Sequence, residues 1–273
     1  MSGNIQVGKY TLESLTTGMY SDPKIIYREY IQNSVDSLET AVQMNMIEPQ
    51  SMRIDIVVNE EESCISIRDN GTGIPSALAA STLMNIGSSQ KRHTNNRGFR
   101  GIGRLGGMSY CDKLIFSTSA EDEKTKTIVE FDCKMLRQLL VPGANENMDL
   151  VSVLDAVTTV HQEEEREEKH YFNVELVDVS GFSDLLNLES AKSYIAQVAP
   201  LPYRTRCFVY ATDLHKFLSG NGYEIEEFPI FIGESNEDLE PIYKPNRHRY
   251  HSDRNKRKND EINKLETFRV EVD

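Results

Sequence analysis

The sequence predicts an α+β protein, a two-layer sandwich of helices on a mixed, mostly antiparallel sheet. Three observations carry that expectation. A long helical stretch from about Pro23 to Met46 comes first, a series of segments alternating in strand fashion follows, and a further helical pattern lies near 188–199.

In the first helix Ile31, Val35, Leu38 and Val42 gather on one side, while Glu29, Asn33 and Asp36 fall within about 60° of one another on the other. "MRIDIVV" (52–58) and "SCISIRD" (63–69) alternate around the turn "NEEE" and read as a hairpin. A helical stretch "SALAASTLMNI" follows, then a polar, glycine-bearing segment (87–107) too long for a routine connector. Strands are expected at 113–119, 126–132, 150–160 and 171–179, with the acidic "EEEREEK" (163–169) as a solvated hairpin tip. "PLPY" (200–203) punctuates the chain. "RCFVYAT" and "FPIFIG" then read as strands that begin a second α/β domain over 201–273, and the abrupt end at "FRVEVD" points to a fragment of a longer protein. There is no internal repeat.

The 273 residues are 38% hydrophobic and 27% charged, enough for a sizeable core. No apolar run approaches the roughly 18 residues of a membrane span, and the start lacks an apolar signal core, so the expected location is cytoplasmic, with no membrane partner. Cys64, Cys111, Cys133 and Cys207 lie far apart with no C-x-x-C pair, as reduced, buried thiols would. A net charge of −13 argues against a chain that wraps nucleic acid. The basic stretch 246–258, with Arg247, Arg249, Arg254, Lys256, Arg257 and Lys258, is either a solvated loop or a contact for DNA, RNA or an acidic partner.

Two glycine motifs mislead. "GNIQVGKY" (3–10) nearly spells a phosphate loop, but Tyr10 stands where a metal-binding hydroxyl is required and no strand precedes it. "GIGRLG" (101–106) fits G-x-G-x-x-G, yet the residues before Gly98 are polar and no strand leads into it.

Three features carry chemistry when taken together. Alone, the face of Glu29, Asn33 and Asp36 could simply meet water, "RDNGTGIP" (68–75) could be an ordinary turn, and "RGFRGIGRLGG" (97–107) could be a flexible linker. In that order they supply complementary needs. The helix offers a carboxylate and an amide. Asp69 can accept from an exocyclic amine, with Gly71 and Gly73 leaving room for a flat ring. The glycine-rich loop offers backbone N–H groups to phosphates. On these motifs the sequence resembles the GHKL superfamily, which comprises gyrase, the ninety-kilodalton heat-shock chaperones, histidine kinases and MutL. The likeness covers roughly residues 10–200 and is nearest to the chaperone and MutL branches.

The resemblance implies the Bergerat ATP-binding fold over 1–200, with a lid over about 76–103, and an incomplete transducer-like domain after it. By that likeness Glu29 is the general base, Asn33 ligates Mg²⁺, and Asp36 supports the nucleotide pocket. Asp69 reads the adenine amine with Gly71, Gly73 and Ile74 beside it. Gly98, Gly101 and Gly103 hold the β and γ phosphates, Phe99 and Ile102 belong to the same nucleotide-binding loop, Lys91 and Arg97 are further phosphate contacts, and Thr127 places a hydroxyl near the adenine. The implied activity is Mg²⁺-dependent ATP binding and slow hydrolysis to ADP and phosphate, driving lid closure and homodimerisation as in a chaperone-like switch. The alternatives are a MutL-like or chromatin-ATPase-like DNA-associated ATPase using 246–258, and a non-hydrolysing nucleotide-gated scaffold.

Overall fold

The computed structural model describes residues 22–84, 103–143, 148–203, 210–223 and 226–244. Helix α1 (Ile25–Gln43) buries Tyr27, Tyr30, Ile31, Val35, Leu38 and Ala41, spaced three and four apart. It ends where Asn45 takes a left-handed φ of 60°, a conformation that Asn tolerates. Strands β1 (Ile54–Asn59) and β2 (Cys64–Asp69) form the expected antiparallel hairpin, with Ile56 opposite Ile67. Helix α2 (Ser76–Met84) follows, with Ala79 and Leu83 buried.

After a 3-10 helix (Gly103–Ser109), β3 (Lys113–Ser119), β4 (Thr125–Asp132) and β5 (Thr158–Glu164) run as a meander, and β6 (Tyr171–Val177) returns to lie between β3 and β2. Two helices, α3 (Cys133–Leu139) and α4 (Leu150–Val157), sit between β4 and β5. Past β6 come α5 (Ser183–Leu186), α6 (Leu188–Val198) and α7 (Ala211–Gly220). Strand β7 (Ile230–Gly233) joins β1 in parallel, and β8 (Glu240–Pro241) forms the edge. The sheet order is β5-β4-β3-β6-β2-β1-β7-β8, and every pairing except β1 with β7 is antiparallel. The fold class is therefore α+β on a mixed, mostly antiparallel sheet. Its inner face, with Ile54, Ile67, Val174, Phe116, Val129 and Ile232 all buried, forms the core together with the apolar side of α1.

Two elements differ from the sequence expectation. Residues 150–160 are not one strand: α4 takes Leu150–Val157 and β5 begins at Thr158. Leu150, Val153, Leu154 and Val157 are buried at helical spacing, and Asp149 caps the helix by accepting from the Ser152 N–H at 2.8 Å. The acidic stretch 163–169 is not a hairpin tip, because β5 and β6 do not pair and the connection crosses over β4 and β3. It is held to the β3–β4 turn by Glu165 N–H on the Lys124 carbonyl and Asp122 N–H on the Glu167 carbonyl, at 2.9 and 3.1 Å.

The sheet also runs past residue 200, where a second domain was expected to begin. Phe228 N–H donates to the Pro200 carbonyl and Lys244 N–H to that of Pro202. Of the expected strand 206–212, residues 204–209 lie outside the described residues and Ala211 opens α7.

Candidate functional site

The polar side of α1 does not simply meet water. Glu29 and Asn33 are half-buried and Asp36 is buried. Burial raises the Glu29 carboxyl above its usual value, and the charge of Arg28 offsets part of that rise. A Cβ on Gly103 would overlap the Glu29 carboxylate, so glycine is what lets the 3-10 helix approach this group. The 3-10 helix is pinned to α1 by Tyr30, whose buried hydroxyl donates to the Arg104 carbonyl at 3.0 Å and accepts from the Gly107 N–H at 3.1 Å. Arg104 in turn donates through Nε to the Leu83 carbonyl at 3.3 Å, joining the 3-10 helix to the end of α2.

The turn after β2 brings a second carboxylate against the same helix. Asp69 is 2% exposed, and its Oδ1 accepts from the Gly71 N–H at 2.9 Å. Its Oδ2 is buried with no hydrogen-bond partner among the described residues. Desolvation raises this carboxyl to about 6, against the opposing pull of the Gly71 N–H, the nearby Ser34 and Ser37 hydroxyls and Arg68. An orphaned acceptor inside a protein costs about 1–3 kcal/mol, and among the described residues nothing offsets that cost for Oδ2.

Gly73 has φ +63°, and a Cβ there would overlap the Ser119 carbonyl oxygen. The turn thus packs on the ends of β3 and β6 because residue 73 has no side chain. Ile74 N–H donates to Thr118 Oγ1 at 2.7 Å, and that hydroxyl donates to the Tyr171 carbonyl at 3.0 Å. At the start of α2, Glu123 accepts from the Ser76 N–H, satisfying one of the free donors of that helix end.

Of the residues expected to form the site, Glu29, Asn33, Asp36, Asp69, Gly71, Gly73, Ile74 and Gly103 belong to α1, the β2 turn and the 3-10 helix. Contacts between these elements join Gly103 to Glu29 and Gly71 to Ser37. Thr127 is not brought to Asp69. Asp69, Phe172, Thr118 and Thr127 form one cross-strand row, so three strand spacings, about 14 Å, separate the two. Lys91, Arg97, Gly98, Phe99, Gly101, Ile102 and the basic stretch 246–258 lie outside the described residues. Sequence reasoning missed Ser37, Thr118, Tyr30 and His170. Ser37 had a signal, since it lies four residues after Asn33, one turn along the same face.

Residues 20–139 match the family described as Histidine kinase-, DNA gyrase B-, and HSP90-like ATPase. The chain carries a GHKL-type ATPase domain. The matched stretch holds Glu29, Asn33, Asp69, Gly73 and Gly103, and it ends in α3. No curated protein matches the chain. ATP binding is what a domain of this family supports. Among the described residues no cluster of three His, Cys, Asp or Glu could cage a metal. Asn33, one turn from Glu29 on α1, offers a single side-chain oxygen, a donor type that Mg²⁺ accepts.

Proposed function

We propose that this domain binds ATP in the cleft bounded by α1, the β2 turn and the 3-10 helix, and hydrolyses it slowly to ADP and phosphate. The observation that carries the reading is the Oδ2 of Asp69, a buried acceptor with no hydrogen-bond partner among the described residues and suited to the 6-amino group of adenine. Glu29 is the general base. It takes a proton from the attacking water as the water oxygen bonds to the γ phosphorus and the bond to the bridging oxygen of ADP breaks. Its raised proton affinity, caused by burial, suits that role. Asn33 would hold Mg²⁺, which when bound supplies charge neutralisation at the phosphates. The glycines at 98, 101 and 103 would cradle those phosphates through their backbone N–H groups, and lid closure over 76–103 would accompany binding and favour pairing of two copies.

Calorimetric titration of the chain with a non-hydrolysable ATP analogue, with and without Mg²⁺, tests the reading. Affinity that needs Mg²⁺ and collapses in Asp69→Asn supports it, and no binding at millimolar analogue overturns it. Glu29→Ala should keep the affinity and abolish phosphate release. Equal phosphate release in both proteins would leave binding without catalysis by Glu29.

A further inference from the structure

Gly71 is held from two sides. Its N–H donates to Asp69 Oδ1 at 2.9 Å, and its carbonyl accepts from His170 Nδ1 at 2.6 Å. The next peptide is held as well, since Thr72 N–H donates to Ser37 Oγ at 3.0 Å. A Cβ on residue 71 would overlap the Ser37 hydroxyl, so the turn and α1 meet with no spare room. Ser37 on α1 therefore holds the Thr72 peptide and His170 holds the Gly71 carbonyl.

The His170 grip has a rigid base. His170 ends the crossover from β5, and that crossover is tied to the β3–β4 turn by the two backbone hydrogen bonds of Glu165 and Glu167. Tyr171, the next residue, donates through Oη to Glu165 Oε2 at 3.0 Å. A carbonyl acceptor fixes the imidazole with its proton on Nδ1.

We propose that His170 and Ser37 are positioning residues for base discrimination. By fixing the Gly71 and Thr72 peptides they commit Asp69 Oδ1 to the Gly71 N–H and leave only Oδ2 for the ligand. The acceptor then has one direction. An adenine amine can meet it, whereas a 6-oxo base would set a second acceptor against a buried carboxylate. Loosening either grip lets the carboxylate rotate and share both oxygens, which weakens the preference for adenine more than it weakens binding in general. This inference rests on the assignment of Asp69 as the adenine acceptor.

The test compares ADP with inosine diphosphate, which differ at the 6 position and are not hydrolysed at a γ phosphate, by calorimetry on the full chain. His170→Phe and Ser37→Ala should each lower the ADP-to-IDP affinity ratio by about tenfold, while IDP affinity changes by less than about twofold. His170→Asn, which keeps a nitrogen donor next to the Cγ carbon, should hold the ratio near the wild-type value. A wild-type chain that binds ADP and IDP equally would sink the Asp69 assignment itself. A wild type that discriminates, with both variants keeping its ratio or losing both ligands equally, would leave that assignment standing and overturn the positioning role. Ser37→Ala removes a single oxygen, so a folding failure of His170→Phe would leave the outcome readable.

Discussion

Asp69 concentrates two opposite pH effects in one carboxyl. Burial raises it from 3.8 to about 6, so between those values the folded chain holds a proton that the unfolded chain has released. Its contribution to stability is therefore complete below 3.8 and lost as pH rises through 6, about 3 kcal/mol across the window. Urea denaturation from pH 4 to 7 should show this decline in the wild type relative to Asp69→Asn, whose amide does not titrate. Binding runs the other way. Protonation removes the Oδ2 acceptor, so affinity for adenosine, which has no phosphate titrating here, should fall by about tenfold per pH unit below 6. A flat adenosine profile would mean that the carboxylate does not read the base. Gly103 gives a second test at this scale. The group that a Cβ there would overlap is the flexible end of Glu29, so Gly103→Ala should fold and displace the carboxylate. A misplacement near 1 Å costs on the order of a hundredfold, so kcat should fall by about that factor with nucleotide affinity nearly unchanged. Unchanged turnover would place the base elsewhere.

Between elements, the decisive link is Tyr30, which satisfies a carbonyl and an N–H of the 3-10 helix from inside α1. Tyr30→Phe leaves both groups unpaired beside an apolar ring. Stability should fall by about 2–4 kcal/mol, read as a lower urea midpoint with an unchanged slope. A loss under about 0.5 kcal/mol would show that the 3-10 helix is held by packing alone. The helix that carries Tyr30 was legible in the sequence, because its apolar residues recur at a 3.6-residue period. Helix α4 was not, since "LVSVLDAVTTV" is apolar enough to satisfy either period and only the cap at Asp149 and the β-branched pair at 158–159 divide it. The same contrast runs through the site. Asp69 and Gly73 stood out because D-N-G-T-G is turn chemistry, and the structure gives Gly73 its positive φ. His170 carried no local signal, because it reaches Gly71 across 99 positions, and only the crossover topology brings it there. Thr127 was placed by the family likeness and its strand pattern, neither of which says how many strands intervene.

Across the whole molecule, sheet order decides where the chain can be cut. The expected boundary at residue 200 separates β7 from β1, yet the two pair in register from Ile54 opposite Ile230 to Val57 opposite Gly233. A chain ending at Pro200 would lose Phe228, Ile230 and Ile232, which are 3%, 0% and 0% exposed. At roughly 1.5–3 kcal/mol for each large apolar side chain, their burial is worth about 5–9 kcal/mol. That rivals the 5–15 kcal/mol by which whole domains are typically stable. The cut would also strip β1 of its neighbour and leave an apolar edge free to pair with other chains. Fragment 1–200 should therefore be unfolded or aggregated by circular dichroism and light scattering, whereas the full chain should unfold with β1 and β7 in one transition. A soluble fragment with the full chain's urea midpoint would restore the boundary at 200 and make β7 an accessory strand. An unfolded fragment would make the strands past residue 200 part of the nucleotide-binding unit, with β7 supporting β1, the hairpin partner of the strand that carries Asp69.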